Sequence, residues 1–208
     1  LIKCAFDKYL IIKLYFQEPA DVEKWIVTSD NDHNEGFSKA SFELSTSGYG
    51  LFSGIVTSAM PKDGKIHKAG YCGVRSQRHT KSFKRDCYYD WSFYNTLVMR
   101  VRGDGRPYLI NIGCEGTFDV TWNDLYTFVL YTRGGMHWQI TKIPFSKFFL
   151  TSNGLVQDRQ YPLPANKITS FGLSVSGRAG FDGELKDDKF NHENTFISKF
   201  YFIIYRSV

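Results

Sequence analysis

The sequence predicts an all-β protein, an antiparallel β-sandwich. Aromatic residues make up 17% of the 208 residues, with 18 Phe and 13 Tyr, and 18 glycines are available for turns. Aromatic side chains favour strands, and few stretches show the apolar period of a helix. Short strand-like runs also follow one another at fairly regular spacing. A chain of this length can bury a sizeable core, so we predict a single domain over residues 1–208.

The densest strand and turn signals lie in residues 88–149. Residues 96–102 change from an apolar start to apolar/polar alternation, which is the mark of a half-buried strand. Two glycines, an aspartate, an arginine and a proline follow, and the next strand occupies residues 108–112. We therefore predict a β-hairpin whose tip presents Asp104 and Arg106 to solvent.

A second hairpin is predicted directly afterwards. Residues 125–132 form a β-branched and aromatic run that ends at Gly134 and Gly135, and residues 137–143 alternate until a proline stops them. Two hairpins in tandem would make one antiparallel sheet.

Further strands are predicted on both sides of this region. In residues 177–199 the pattern changes to a divergent polar stretch, an insertion or altered C-terminus, and this leaves open how a last aromatic strand closes the sandwich. The further strands are 26–27, 40–44 with 49–56, 71–74, 168–175 and 200–205.

An acidic loop near the N-terminus is a candidate calcium site. Asp30, Asp32 and Asn34 have the oxygen spacing of a calcium loop, but Glu35 and Ser41 stand where an EF-hand needs glycine and glutamate. An EF-hand is therefore excluded. A structural calcium site and a loop rich in Asx turns both stay open.

The formal net charge is +5, and a basic segment accounts for much of it. Residues 62–85 contain eight Lys or Arg, among them Lys81, Lys84 and Arg85, against a single Asp. Such a segment could bind anionic lipid or an acidic protein face, or could keep the protein in solution. We predict no nucleic-acid binding, because no recognised motif accompanies the charge.

Catalytic motifs are scarce. The sequence has no G-x-S-x-G elbow, no H-E-x-x-H and no phosphate-binding loop, and its five histidines have no metal-site spacing. A nucleophilic Cys72 or Cys87 beside a histidine stays open. Four widely spaced cysteines favour free thiols in a reducing compartment. We predict that the protein is no enzyme and binds no cofactor.

Residues 113–124 form a loop with aromatic and acidic side chains around Trp122. Such a loop could stack a sugar ring, provide a protein-contact hot spot, or cap the core.

Several blocks of the sequence, in the right order, resemble the family of the thirty-kilodalton complex I intermediate-associated protein. The resemblance covers residues 14–175 approximately. The blocks are residues 88–92, 100–107, 132–135 and 143–149, with Trp25, 28–33 and 70–72 in support.

This resemblance implies a jelly-roll sandwich like galactose-binding and carbohydrate-binding modules. It also implies a mitochondrial assembly factor, peripheral to the matrix side of the inner membrane, that binds membrane-arm intermediates of complex I and other assembly factors, with anionic lipid as a further contact. The rival is a carbohydrate-binding module that stacks sugars on Tyr108, Trp122 and Trp138. The candidate partner-binding residues are Asp104, Arg106, Tyr108, Trp122, Trp138, Lys81, Lys84 and Arg85.

Overall fold

The architecture comes from a computed structural model. It describes residues 12–14, 22–45, 49–59, 61, 69–78, 80–81, 85–115, 124–152, 154–177 and 194–205. Only the backbone is described for residues 12–14, 80–81, 85–86 and 194–205.

Within these residues the regular structure consists almost entirely of strands and two short 3-10 helices, Asp30–His33 and Phe145–Lys147. The predicted all-β class is confirmed. The strands are β1 Ile12–Leu14, β2 Trp25–Ser29, β3 Lys39–Leu44, β4 Gly50–Val56, β5 Tyr71–Ser76, β6 Thr80–Lys81, β7 Arg85–Asp86, β8 Thr96–Arg102, β9 Pro107–Cys114, β10 Leu125–Tyr131, β11 Gln139–Pro144, β12 Phe149–Ser152, β13 Leu155–Val156, β14 Ile168–Ser176 and β15 Asn194–Tyr205.

The strands form two antiparallel sheets that pack face to face. Sheet 1 has the order β11-β8-β15-β4-β3, with β1 paired to β15 as well. Sheet 2 has the order β13-β12-β10-β9-β14-β5-β2. β6 and β7 pair separately.

The core lies between the sheets because their strands alternate between buried and exposed side chains. Fully burying one aliphatic or aromatic side chain contributes roughly 1.5–3 kcal/mol, so this layer is the main source of stability. On β8 and β9 the side chains that are at most 1% exposed are Leu97, Met99, Val101, Tyr108, Ile110 and Ile112.

One edge of the core is closed by Trp91. The ring is 4% exposed and stacks on Phe145 with 5.9 Å between ring centroids. Its indole N–H is buried and finds no hydrogen-bond partner among the described residues. Burial of the ring therefore comes with an unsatisfied donor, which costs part of the packing energy.

The two predicted hairpins are wrong. β8 pairs with β11 and β15 in sheet 1, whereas β9 pairs with β10 and β14 in sheet 2. Residues 103–106 and 132–138 therefore carry the chain from one sheet to the other. A hairpin and such an arch need the same turn residues, and strands distant in sequence decide which of them forms. The nested pairing of β8 with β11 and β9 with β10 produces the jelly roll.

Other predicted strands are confirmed. β3 and β4 pair as adjacent antiparallel strands, with Phe42 opposite Phe52. β5 and β14 cover the predicted runs and pair with each other in sheet 2.

The last strand lies inside sheet 1. β15 pairs with β8 along residues 199–205 and with β4 along residues 194–200. Residues 194–199, which we predicted as part of the divergent polar stretch, are thus strand. Residues 178–193 lie outside the described part of the chain. β15 leaves no gap between β8 and β4, so the sandwich is closed there.

Among the described residues, no helix is both long enough and apolar enough to span a membrane.

Candidate functional site

The two arches between the sheets are locked together by Thr132. Its hydroxyl donates to the carbonyl of Arg106 at 2.8 Å and accepts from the amide of Gly105 at 3.0 Å. A side chain at Gly103 would collide with Thr132, and one at Gly134 would meet the amide nitrogen of Gly105 at 3.1 Å. Glycine at these positions therefore lets the two backbones approach closely. The arches form one fixed corner of the sandwich.

This corner holds three of the predicted partner-binding residues. Asp104 accepts hydrogen bonds from the Arg106 amide at 3.2 Å and the Tyr108 hydroxyl at 3.1 Å. Arg106 and Asp104 also form an ion pair at 3.5 Å, with side chains that are 32% and 21% exposed. The side chains of Asp104 and Arg106 are therefore already bonded to each other and to neighbouring groups of the arch.

Tyr108 is a correction. The sequence predicted a partner-facing or sugar-stacking ring, but the residue is 0% exposed and belongs to the core. Position 108 is inward because β9 alternates from the arch onward, and Ile110 and Ile112 share its face.

Trp138 lies on the outer face of sheet 1. The guanidinium carbon of Arg100 lies 4.9 Å from the Trp138 ring centroid, and the Tyr49 ring lies 5.0 Å away at 59°. Arg100 is exposed, and its neighbours Met99 and Val101 point into the core, so the cluster covers the solvent side of β8.

The register explains why residues distant in sequence meet here. Gly50 is opposite Phe200, Phe200 is opposite Val101, and Val101 is opposite Gln139. Gly50 and Gln139 are the first and last residues of this row. Tyr49 directly precedes Gly50 in the chain and Trp138 directly precedes Gln139, so both rings lie at the same end of sheet 1. Arg102 belongs to the same surface and donates from Nε to the Gly135 carbonyl at 3.3 Å.

We call this surface the Arg–Trp face, and we define it by Tyr49, Arg100, Arg102, Trp138 and Ile140. Ile140 is 67% exposed and is the register partner of Arg100. Of these five residues the sequence singled out only Trp138. Arg100 and Arg102 could have been found from the sequence, because they alternate with apolar residues along β8.

The remaining predicted partner-binding residues are not described in the same detail. Trp122 and Lys84 lie outside the described residues. Lys81 and Arg85 are opposite one another in the β6–β7 pair, where only the backbone is described.

The acidic loop is organised around a buried carboxylate. Asp30 is 0% exposed and accepts from the Ser38 amide at 2.8 Å, the Ser38 hydroxyl at 3.0 Å and the Gly70 amide at 2.6 Å. Asp32 accepts from the amide and the hydroxyl of Ser29. Asn34 adopts the left-handed conformation that ends the 3-10 helix. The calcium candidates therefore serve as an Asx-type loop, with both carboxylates bound to protein donors.

In the described part of the chain, no group of three or more His, Cys, Asp or Glu is placed to hold a metal ion.

None of the three described cysteines, Cys72, Cys87 and Cys114, forms a disulfide. Burial raises the pKa of the Cys72 thiol to about 12, and the charges of Asp30 and Asp32 add to the shift. Burial alone raises the pKa of Cys114 to about 12. Both thiols stay protonated at neutral pH, and a protonated thiol is a poor nucleophile.

The fold defines the class of the protein. It is a β-sandwich of the kind found in carbohydrate-binding modules. A family 11 carbohydrate-binding module from Clostridium thermocellum superposes with a TM-score of 0.58 at 16% identity, over 94% of this chain and 96% of that one. A family 30 carbohydrate-binding module superposes with a TM-score of 0.53 at 13% identity, over 96% of this chain and 89% of that one.

Sequence comparison then gives the family. Residues 14–189 match the family description "Complex I intermediate-associated protein 30", and the chain belongs to this family. The relative of that name from Drosophila melanogaster, a mitochondrial protein, is 59% identical over 168 residues, which is 81% of this chain and 57% of the relative. The Mus musculus relative is 43% identical over 78% of this chain and 50% of its own length. The chain therefore spans about half the length of these relatives.

Proposed function

We propose that this protein is a non-catalytic assembly factor that binds intermediates of mitochondrial complex I while the membrane arm is being built. The observation that carries the proposal is membership of a family named for its association with complex I intermediates. The site offers a binding surface that fits this role, because Trp, Tyr and Arg dominate protein-interface hot spots and all three meet on the Arg–Trp face. The sheet beneath holds them in place, so little conformational entropy is lost on binding.

Co-purification tests this proposal. Full-length tagged protein is expressed in cells that lack their own copy, and complexes are isolated from mitochondria. We expect a complex I intermediate on the tagged protein and restored assembly of the mature enzyme on native gels. Normal complex I in the cells without the protein would refute the role.

A substitution on the Arg–Trp face then tests the surface. Trp138→Ala removes the ring that Arg100 and Tyr49 contact, and we expect it to lower recovery of the intermediate. Phe93→Ala is the matched control, because it removes an aromatic ring that is 72% exposed outside this face. Equal loss of the intermediate in both variants would show that the Arg–Trp face is not the binding surface.

We further propose that the protein works on the matrix side of the inner membrane and touches anionic lipid through its basic segment. The charge of Lys81, Lys84 and Arg85 supports this, since each basic residue close to an anionic bilayer contributes about 1 kcal/mol. The measurement is sedimentation with phosphatidylcholine vesicles with and without cardiolipin. Binding that is unaffected by cardiolipin, or by Lys81→Glu/Lys84→Glu/Arg85→Glu, would contradict the lipid contact.

Carbohydrate binding is the second candidate. Trp138 lies on an outer sheet face, where a ring could stack on a sugar, although Tyr108 is buried and unable to do so. Calorimetric titration with a β-1,3-1,4-mixed-linked tetrasaccharide tests it. Heat that disappears in Trp138→Ala would favour a sugar site, and its absence at millimolar ligand would leave the assembly role as the better explanation.

A further inference from the structure

We infer that the Arg–Trp face binds an acidic segment of a partner polypeptide, with two carboxylates on Arg100 and Arg102 and an apolar side chain beside Ile140. This inference rests on the proposed function and specifies the chemistry of the partner. It depends on charge, exposure and register on the outer face of β8 and β11.

The first observation is the absence of acid from adjacent strands. β11, β8 and β15 lie side by side, and their sequences contain four basic residues and no Asp or Glu. The arch before β11, residues 132–138, adds Arg133 and His137 and again no acid. The sequences of these three strands therefore offer Arg100 and Arg102 no opposite charge. The four basic strand residues are Arg100, Arg102, Lys142 and Lys199.

The second observation is that, within the described part of the chain, the two arginines are held in place by groups other than carboxylates. Among the described residues neither Arg100 nor Arg102 forms an ion pair. Arg100 rests on the Trp138 ring, and Arg102 is fixed by its Nε bond to the Gly135 carbonyl. A cation–π contact with an aromatic ring uses no N–H donor of the guanidinium in a hydrogen bond, so these donors can bind a carboxylate. Both arginines are thus pre-organised for acidic groups.

The third observation is the spacing. Arg100 and Arg102 are alternate residues of β8 and share its outer face, so their Cα atoms are about 7 Å apart. Carboxylates on alternate residues of an extended segment have the same separation, and those four residues apart on a helix come close to it. Each arginine can therefore take its own carboxylate in a bidentate bond.

The fourth observation favours polypeptide over nucleic acid or lipid headgroups. Ile140 is 67% exposed opposite Arg100, and Met136 is 77% exposed in the adjacent arch. Apolar side chains beside cations match a protein segment that mixes acidic with aliphatic or aromatic residues. A phosphate chain would cover the cations but leave these two side chains in water.

The experiment is site-specific photo-crosslinking in intact mitochondria. A benzophenone amino acid replaces Ile140 in the full-length protein, and the crosslinked peptide is identified by mass spectrometry. We expect a protein segment with at least two Asp or Glu near the crosslink. Its yield should fall on the order of a hundredfold in Arg100→Glu/Arg102→Glu, about tenfold for each lost charge-assisted pair.

Matched variants separate charge at this face from net charge. Lys39→Glu/Arg75→Glu makes the same change in net charge at exposed positions of β3 and β5, and it should leave the crosslink unchanged. Replacing the acidic residues of the captured peptide by Lys should restore the crosslink to Arg100→Glu/Arg102→Glu. Circular dichroism and thermal unfolding of each variant establish that it is folded.

Several outcomes would overturn the inference. A crosslink to a segment without acidic residues, to RNA or to lipid would refute it, as would equal loss in the control variant. If the complex I intermediate still co-purifies and no Ile140 crosslink forms, the partner chemistry is wrong while the proposed function stands. If no intermediate co-purifies at all, the proposed function itself fails.

Discussion

Replacing Asp30 by Ala should destabilise the fold strongly, because its buried carboxylate is an acceptor for several protein donors. The carboxylate accepts three hydrogen bonds, from the Ser38 amide, the Ser38 hydroxyl and the Gly70 amide, all in a buried site. The Ser38 hydroxyl also lies 3.4 Å from the Thr57 carbonyl, so it has a second acceptor when the carboxylate is removed. Among the described residues, the amides of Ser38 and Gly70 have no other acceptor.

The magnitude follows from those two amides. Each buried donor left unsatisfied costs about 1–3 kcal/mol, which gives a range of about 2–6 kcal/mol. Removing the carboxylate also removes its own desolvation cost, so we expect a loss of about 4 kcal/mol. For a chain of this size each kcal/mol lowers the melting temperature by about 2–4 °C, so the melting point should fall by roughly 8–16 °C.

Urea and thermal denaturation followed by circular dichroism measure the change. Asp158→Ala, at an exposed position, is the control and should lie within about 0.5 kcal/mol of the unchanged protein. Asp30→Asn should be intermediate, because the amide retains one acceptor oxygen but turns a donor toward the remaining N–H groups. If Asp30→Ala is as stable as the control, the reasoning about this buried site is wrong.

Three further predictions concern the arches and the thiols. Thr132→Val should cost about 1–2 kcal/mol in urea denaturation, because it removes the hydroxyl that joins Gly105 to Arg106; an unchanged midpoint would contradict the locked corner. Tyr108→Phe should cost about 1 kcal/mol, since the hydrogen bond from its hydroxyl to the partly exposed Asp104 is lost, and a loss above about 3 kcal/mol would not fit. For Cys72 the folded protein has a pKa of about 12 against 9.0 for a free thiol, so above pH 9 the unfolded chain loses this proton first. Stability should therefore fall as pH rises from 9 toward 12, and Cys72→Ala should reduce that slope in denaturation curves; an identical slope would refute the assignment.

Much of the fold was predictable because strand signals are local. Residues 96–102, 168–175 and the strands predicted at 40–44 and 49–56 carry strand signals within their own sequence, and each became a strand. The arches were mistaken for hairpins for the same reason. Turn residues at 103–107 specify that the chain reverses, but the sheet that the next strand joins depends on β14 and β15, which come much later in the chain.

The candidate site shows the same difference between features set by local sequence and features set by long-range pairing. Trp138 was conspicuous because an aromatic residue beside a glycine-rich turn stands out in a sequence. Its partners Tyr49 and Arg100 were not, since they are brought together by strand register across sheet 1. Tyr108 is buried because it lies on the face of β9 that meets the other sheet. A shift of the strand pairing by one residue would move it to the opposite face.

The amino-acid sequence by itself determined the all-β class, most strand positions and the membership of the chain in its family, because these depend on residue type and short-range spacing. Only the tertiary structure decided that the arches link two sheets, that β15 lies between β8 and β4, and that two arginines with no acidic partner among the described residues share one outer face. Those features arise from pairing between residues a hundred positions apart, which minimises exposed core surface over the whole sandwich and leaves no local trace in the chain.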